Sequence, residues 1–192
     1  MKYCLECGGS KVEHRIPEGD NMPRHVCSLC GYIHYVNPKV IAGCLPVWED
    51  KVLMCKRAID PRYGLWTLPA GFLEMGETLA QGASREAWEE AYANVELDRL
   101  YALYSVPHIS QIYAIFHARL VDLNFAAGEE SLEVALYAEH EIPWDTIAFP
   151  AVHKTLELYF EDRRAGRLRS HTGDIHRPDG ASGSTAFDIT SV

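Results

Sequence analysis

Apolar positions along the chain follow two periods. Apolar runs rich in β-branched and aromatic side chains occupy residues 40–48, 51–56, 95–106, 109–121 and 133–137, and predict strands. Glu49 and Asp50, between the first two runs, mark a hairpin turn. The helical period appears twice. Residues 77–91 are rich in Ala, Glu, Gln and Arg, with Thr78 placed to start a helix. Residues 150–166 put Val152, Leu156 and Tyr159 on one stripe between Pro150 and Gly166, a start and a stop. Strands that precede, interrupt and follow a helix predict an α/β layered sandwich. No internal repeat is visible.

On either side of this block the pattern lapses. Residues 1–36 hold too few apolar side chains for a core of their own, and residues 170–192 are polar and rich in Gly, Ser and Asp, as in an extended or partly disordered tail. The 192 residues at 47% hydrophobic content suit one core of roughly 100–150 residues plus a small appendage. The expected organisation is therefore 1–36, 37–169 and a tail at 170–192.

Cysteine spacing accounts for the order of the first segment. Cys4 and Cys7 form one CxxC pair and Cys27 and Cys30 a second, nineteen residues on, and glycine follows each pair. Two such knuckles meeting on one tetrahedral ion form a zinc ribbon with no ligand position left open, so the site is structural. A redox CxxC fits less well, because there are two pairs and no thioredoxin-like βαβ pattern surrounds them. Cys44 and Cys55 lie within apolar runs and read as small buried hydrophobes.

The formal charge of −9 is spread along the chain, and the ribbon's Lys2, Lys11, Arg15 and Arg24 are interspersed with Glu6, Glu13, Glu18 and Asp20. That balance gives no electrostatic support for a nucleic-acid or membrane face, so neither is an expected partner. No apolar run reaches the roughly 18 residues of a membrane span, and the start lacks a signal-peptide stretch, so a cytoplasmic protein is expected.

The chemistry concentrates in the first helix. Glu86, Glu89 and Glu90 stand at i, i+3 and i+4 and share one face, although like charges on neighbouring turns repel. A hard divalent cation, Mg²⁺ or Mn²⁺, offsets that repulsion and completes its octahedron with water and phosphate oxygens. An acidic solvated face is the plain alternative; it leaves unexplained the glycine-led loop that precedes the helix.

Gly71, Glu77, Arg85, Glu86, Ala87, Glu89, Glu90 and Ala93 fit eight of the nine defined positions of a pattern that resembles the Nudix box, in which Tyr92 stands where the family has glycine. The resemblance implies an α/β/α sandwich with a mixed sheet and hydrolysis of a nucleoside diphosphate linked to another group. It implies Glu86, Glu89 and Glu90 as metal ligands, one of them also a base, with the Gly71 carbonyl as a further ligand. Arg85 and Glu77 would be the pair that orients loop and helix, and Glu133, with Glu130 behind it, an additional glutamate at the site. Tyr92 would close the helix at positive φ.

The zinc ribbon joined through Asn37-Pro38, the segment Gly64 to Gly71 and residues 125–133 extend the resemblance to FAD and ADP-ribose pyrophosphatases over about residues 1–175. The products would be AMP with FMN or ribose 5-phosphate, and relatives commonly pair as homodimers. NADH pyrophosphatases are the nearest competing branch; their Ser-Gln-Pro-Trp-Pro-Phe-Pro signature is missing, since Ser105, Val106, Pro107 and His108 occupy that region. A non-catalytic nucleotide-binding regulator would be expected to have lost carboxylates that are intact here. Arg57 is the candidate phosphate clamp, and Tyr63, Phe72, Tyr104, His108 and Tyr113 the candidate shelf for a base.

Overall fold

The computed structural model describes residues 1–177 and 188–191. The chain divides into two compact units, Met1–Asn37 and Pro38–Val192. In the first, β1 (Val12–Arg15), β2 (Arg24–Cys27) and β3 (Ile33–His34) form an antiparallel sheet in that order. Cys4, Val26 and Cys27 are its buried hydrophobic side chains, while Tyr3, Leu5, Leu29 and Val36 are exposed. Apolar burial on that scale does not offset the backbone entropy of a 37-residue fold, so order has to come from the cysteines.

The thiols are built for an ion. Cys4 Sγ and Cys30 Sγ are 3.7 Å apart, as are Cys7 Sγ and Cys27 Sγ, and all four lie within 4.8 Å of one another. That is too far for disulfides, whereas a tetrahedron with Zn–S bonds of about 2.3 Å has edges of roughly 3.8 Å. Gly8 and Gly31, just after each pair, take φ of +70° and +75°, which a Cβ would disfavour.

The second unit holds a mixed sheet. Its strands are β4 (Lys39–Trp48), β5 (Lys51–Arg57), β6 (Trp66–Thr67), β7 (Ala70–Phe72), β8 (Val95–Val106), β9 (Gln111–Leu120), β10 (Ser131–Tyr137), β11 (His171–His176) and β12 (Asp188–Ser191). The order is β10-β5-β4-β9-β8-β11-β12, with β6 beside β5 and β7 beside β4. β4 runs parallel to β9 and β8 parallel to β11; the other pairs are antiparallel.

The helices α1 (Leu79–Ala91) and α2 (Pro150–Arg164) cover opposite faces. Neighbouring residues on a strand point to opposite sides, and on β4 Cys44 packs with Ala83 and Ala87 of α1 while Leu45 packs with Val152, Leu156 and Tyr159 of α2. The result is the α/β/α sandwich expected from the sequence. The contact face of α1 is made of small residues, so the helix lies close to the sheet; a Cβ at Gly82 would approach the Ala42 Cβ to 3.2 Å. Among the described residues no helix is long and apolar enough to cross a membrane.

Three features differ from the sequence reading. α1 begins at Leu79 instead of residue 77, because Thr78 caps it: Gln81 N donates to Thr78 Oγ1 at 3.2 Å and Thr78 N to Gln81 Oε1 at 2.8 Å. β6 and β7, of two and three residues, are too short for a period to show. The expected loose tail supplies β11, whose Ile175 is 1% exposed in the main core; residues 178–187 and 192 of that tail lie outside the described residues.

Candidate active site

The strand β7 delivers Gly71 directly onto α1. A Cβ there would fall 2.4 Å from Glu86 Oε1 and 2.5 Å from Oε2, so any side chain at 71 would displace that carboxylate. β7 is itself drawn in by Gly43 of β4, where a Cβ would meet the Ala70 Cβ at 2.3 Å. Gly43 carried no sequence signal, because a glycine inside an apolar strand does not reveal which neighbour it admits.

Arg85 holds the loop to the helix. Its Nε donates to Glu77 Oε2 at 3.1 Å and its Nη2 to Glu77 Oε1 at 2.8 Å, a two-pronged pair that holds the Glu77 carboxyl down to about 2. Nη2 also donates to the Phe72 carbonyl at 3.1 Å, while Nη1 donates to Glu86 at 2.7 Å and to Glu89 at 2.9 Å. One guanidinium thus binds three carboxylates and the loop backbone.

The three box glutamates are not equivalent. Glu86 and Glu90 are buried, at 8% and 5% exposure, whereas the Glu89 side chain is about half exposed. Burial, more than any neighbouring charge, pushes the Glu90 carboxyl up to about 8, with Glu86 adding to the rise; burial also raises Glu86. Glu90 receives only a long contact from Ala70 N, 3.4 Å. Arg85 stands between Glu86 and Glu89, bonded to both. The site nonetheless fits a hard cation: two buried carboxylates are costly to ionise, and the side-chain-free backbone at Gly71 lies against one of them.

Glu133 lies at the edge of the site, on β10. It faces Lys56 at 3.6 Å, because β10 pairs Glu133 with Lys56 in register. Glu130, one turn of chain earlier, is the acid whose charge raises both Glu86 and Glu90. The loop that carries it docks on the end of α1: Gly128 N donates to the Glu90 carbonyl at 3.0 Å, and a Cβ at Gly128 would fall 1.8 Å from the Glu89 carbonyl oxygen. Gly128 was also missed in the sequence.

Beside the carboxylates lies a cavity of about 500 Å³. Arg57 is buried between the two: its charge acts on Glu90 and on Tyr113, its Nε donates to the Pro61 carbonyl at 2.9 Å, and its guanidinium lies 5.2 Å from the Phe149 ring centre. Pro61, Tyr113 and Phe149 line the cavity, as does His108. The other shelf candidates do not. Tyr63 and Phe72 are exposed, Phe72 beneath Lys39 Nζ at 4.8 Å, and Tyr104 is 1% exposed in the core, because its strand points it inward with Tyr101 and Leu156. Phe149 and Arg62 were missed: one precedes the proline of α2 and the other sits in a turn, positions that carry no periodic signal.

Fold and site together define a class, the α/β/α domain in which a glycine-led loop feeds a glutamate-bearing helix. Residues 37–157 match the NUDIX domain and residues 2–36 match the zinc ribbon described as Nudix N-terminal; the chain belongs to the Nudix family. It is 59% identical to a Nudix hydrolase from Nitrosomonas europaea whose crystal structure superposes with a TM-score of 0.88, over 91% of this chain and 99% of that one. It is 30% identical, over 82% of its length, to the NAD-capped RNA hydrolase NudC of Haemophilus influenzae strain PittGG, of which it covers 61%. An ADP-ribose pyrophosphatase of Methanocaldococcus jannaschii is 28% identical over 58% of this chain and 69% of that protein. The chain thus spans about three fifths of the length of its NudC relative.

Proposed function

We propose that this chain hydrolyses the diphosphate of ADP-ribose and/or FAD with Mg²⁺ or Mn²⁺, releasing AMP with ribose 5-phosphate or FMN. The observation that carries the reading is the burial of Glu86 and Glu90 against the side-chain-free backbone at Gly71, a costly arrangement for carboxylates that have no cation to meet. Glu86, Glu89, Glu90 and the Gly71 carbonyl would hold the ion. When bound, it withdraws charge from the diphosphate and acidifies water. Arg85 and Glu77 fix the loop so that carbonyl and carboxylates stay aligned, and Arg57 binds a phosphate oxygen at the cavity edge. As water adds to phosphorus and the P–O–P bond breaks, a carboxylate takes the water's proton; Glu130, whose charge acts on Glu86 and Glu90, joins Glu86, Glu89, Glu90 and Glu133 as a candidate for that step.

A second reading, an NAD-type dinucleotide as substrate, is favoured by the likeness to NudC, whose name also speaks of RNA; NADH and an NAD-capped RNA therefore belong among the trial substrates. The test is a panel of ADP-ribose, FAD, NADH, NAD-capped RNA, dinucleoside polyphosphates and oxidised nucleoside triphosphates, each with and without Mg²⁺, on wild type and on Glu86→Gln, Glu89→Gln and Glu90→Gln. Turnover of ADP-ribose or FAD should require the ion and fall on the order of a hundredfold in the buried variants, which change charge with little change in volume. Undiminished turnover in all three variants would refute the assignment.

A further inference from the structure

The cavity is lined by basic side chains in a chain that is acidic overall. The chain has 27 acidic and 18 basic residues, yet Arg62, His108 and Arg177 line the cavity and no Asp or Glu does so among the described residues. The remaining wall is largely apolar, with Tyr113, Phe149 and Ile175 offering flat or branched surface. Neither Gly71 nor any glutamate of the box belongs to that lining. A diphosphate held by those carboxylates therefore lies outside the cavity, and the two arginines meet a different part of the substrate.

Arg62 stands there at a conformational cost. Its φ is +71°, a left-handed setting that a residue with a Cβ disfavours. The turn is clamped around it: Arg57 N donates to the Leu65 carbonyl and Gly64 N to the Arg57 carbonyl, both at 2.9 Å, and Leu65 N donates to the Arg62 carbonyl at 3.2 Å. The Arg57 side chain adds its bond to the Pro61 carbonyl, so the residue whose charge acts on Glu90 also fixes the turn that presents Arg62. Arg177 follows β11, whose buried Ile175 forms part of the same wall.

We infer that this cavity takes a ribonucleoside bearing a phosphate ester on its 2′ or 3′ hydroxyl, with Arg62 and Arg177 binding that phosphate and Tyr113 and Phe149 flanking the base. In a diphosphate-linked nucleotide the 5′ oxygen already carries the diphosphate whose P–O–P bridge is cut. The 2′ and 3′ positions are then where a further anion can sit next to the base, and guanidinium forks match phosphate oxygens in pairs. A volume of about 500 Å³ is in the range of a small-molecule site. The inference rests on the proposed function for the location of the diphosphate, and it specifies which nucleoside half is preferred.

The test is calorimetric binding of 5′-AMP, adenosine 2′,5′-bisphosphate and adenosine 3′,5′-bisphosphate to the zinc-loaded full chain. One bisphosphate should bind about tenfold more tightly than AMP, the increment expected of added charge-assisted hydrogen bonds, and which one it is tells the 2′ from the 3′ site. Arg62→Gly, which suits the positive φ, and Arg177→Ala should each remove most of that advantage, and Arg62→Lys should keep part of it. Arg119→Ala, which removes an equal charge from a residue paired with Glu96, should leave it intact. Equal affinity for the three ligands, or an advantage that survives in the Arg62→Gly/Arg177→Ala double variant, overturns the inference. Mg²⁺-dependent hydrolysis of ADP-ribose by the same wild-type preparation separates the two readings: turnover without a bisphosphate advantage sinks only this one, and the advantage without turnover sinks only the activity.

Discussion

At the scale of single residues, the site combines groups whose ordinary preferences are overruled. Tyr92 closes α1 at φ +45°, where the family pattern has glycine, and its N–H still reaches the Ala87 and Trp88 carbonyls. The sequence foretold this strain, because a left-handed cap is a property of the helix end and not of the residue occupying it. Glu90 is overruled more consequentially. Its carboxyl is raised from 4.5 to about 8 by burial first and by Glu86 second, so at neutral pH the metal-free protein holds a proton there that the unfolded chain has released. Between these two values the folded state binds more protons than the unfolded one, so this group makes the metal-free fold less stable as pH rises from about 4.5 to about 8. A divalent ion needs the ionised form and must expel that proton. Mg²⁺ binding at pH 7, followed by calorimetry in buffers of differing ionisation enthalpy, should release up to about one proton per chain, and less as pH approaches 9. Glu90→Gln should abolish the release; an unchanged release in that variant would remove Glu90 from the ion's ligands.

At the scale of elements, legibility followed period length. The strands at β4, β5, β8 and β9 and both helices were readable because each spans several repeats of its period, and the box placed Gly71, Glu77 and Arg85 because their spacing is fixed by one loop and one helix. What was unreadable depends on partners distant in sequence: Gly43 admits Ala70, Gly128 admits the end of α1, and the register of β10 turns Glu133 to Lys56. β11 is the clearest case. Its polar sequence looks like tail, yet Asp162 of α2 pins its start, accepting from Arg169 N at 2.9 Å, His171 Nε2 at 2.8 Å and Tyr101 Oη at 3.1 Å. Burial alone would raise the Asp162 carboxyl, but these donors hold it below its usual value. Its stabilisation is therefore present above the unfolded value of about 3.9 and is lost as pH falls through the lower folded one. Asp162→Asn should cost about 1–3 kcal/mol in denaturant unfolding near neutral pH, with the deficit shrinking in acid, and should speed amide exchange in His171–His176. Because Ile175 is part of the cavity wall, the same variant should weaken nucleotide binding. Unaltered exchange in β11 would show that the strand is held by other means.

At the scale of the whole molecule, the two units owe their order to different physics. Pro38–Val192 has a continuous core in which Leu45, Tyr101, Ile115 and Leu156 have no exposed surface, so apolar burial drives its folding. Met1–Asn37 has three buried hydrophobic side chains, two of them cysteines, so removing its ion removes most of what orders it. Structural zinc contributes on the order of 10 kcal/mol or more in isolated zinc-finger peptides, far beyond what Val26 and its neighbours supply. A chelator selective for zinc over magnesium, or Cys4→Ser, should therefore expose residues 1–37 to protease while the thermal transition of the larger unit moves by no more than a few degrees. Mg²⁺-dependent turnover in that state should stay within about an order of magnitude of wild type, because Glu86, Glu90, Arg85 and Gly71 all lie in the larger unit, where Arg85 binds Glu86. The measurements are limited proteolysis and scanning calorimetry, with turnover recorded on the same samples. If hydrolysis vanished in step with ribbon cleavage while the main transition stayed put, the ribbon would have to take part in the chemistry, and the assignment of a purely structural ion to Cys4, Cys7, Cys27 and Cys30 would fail.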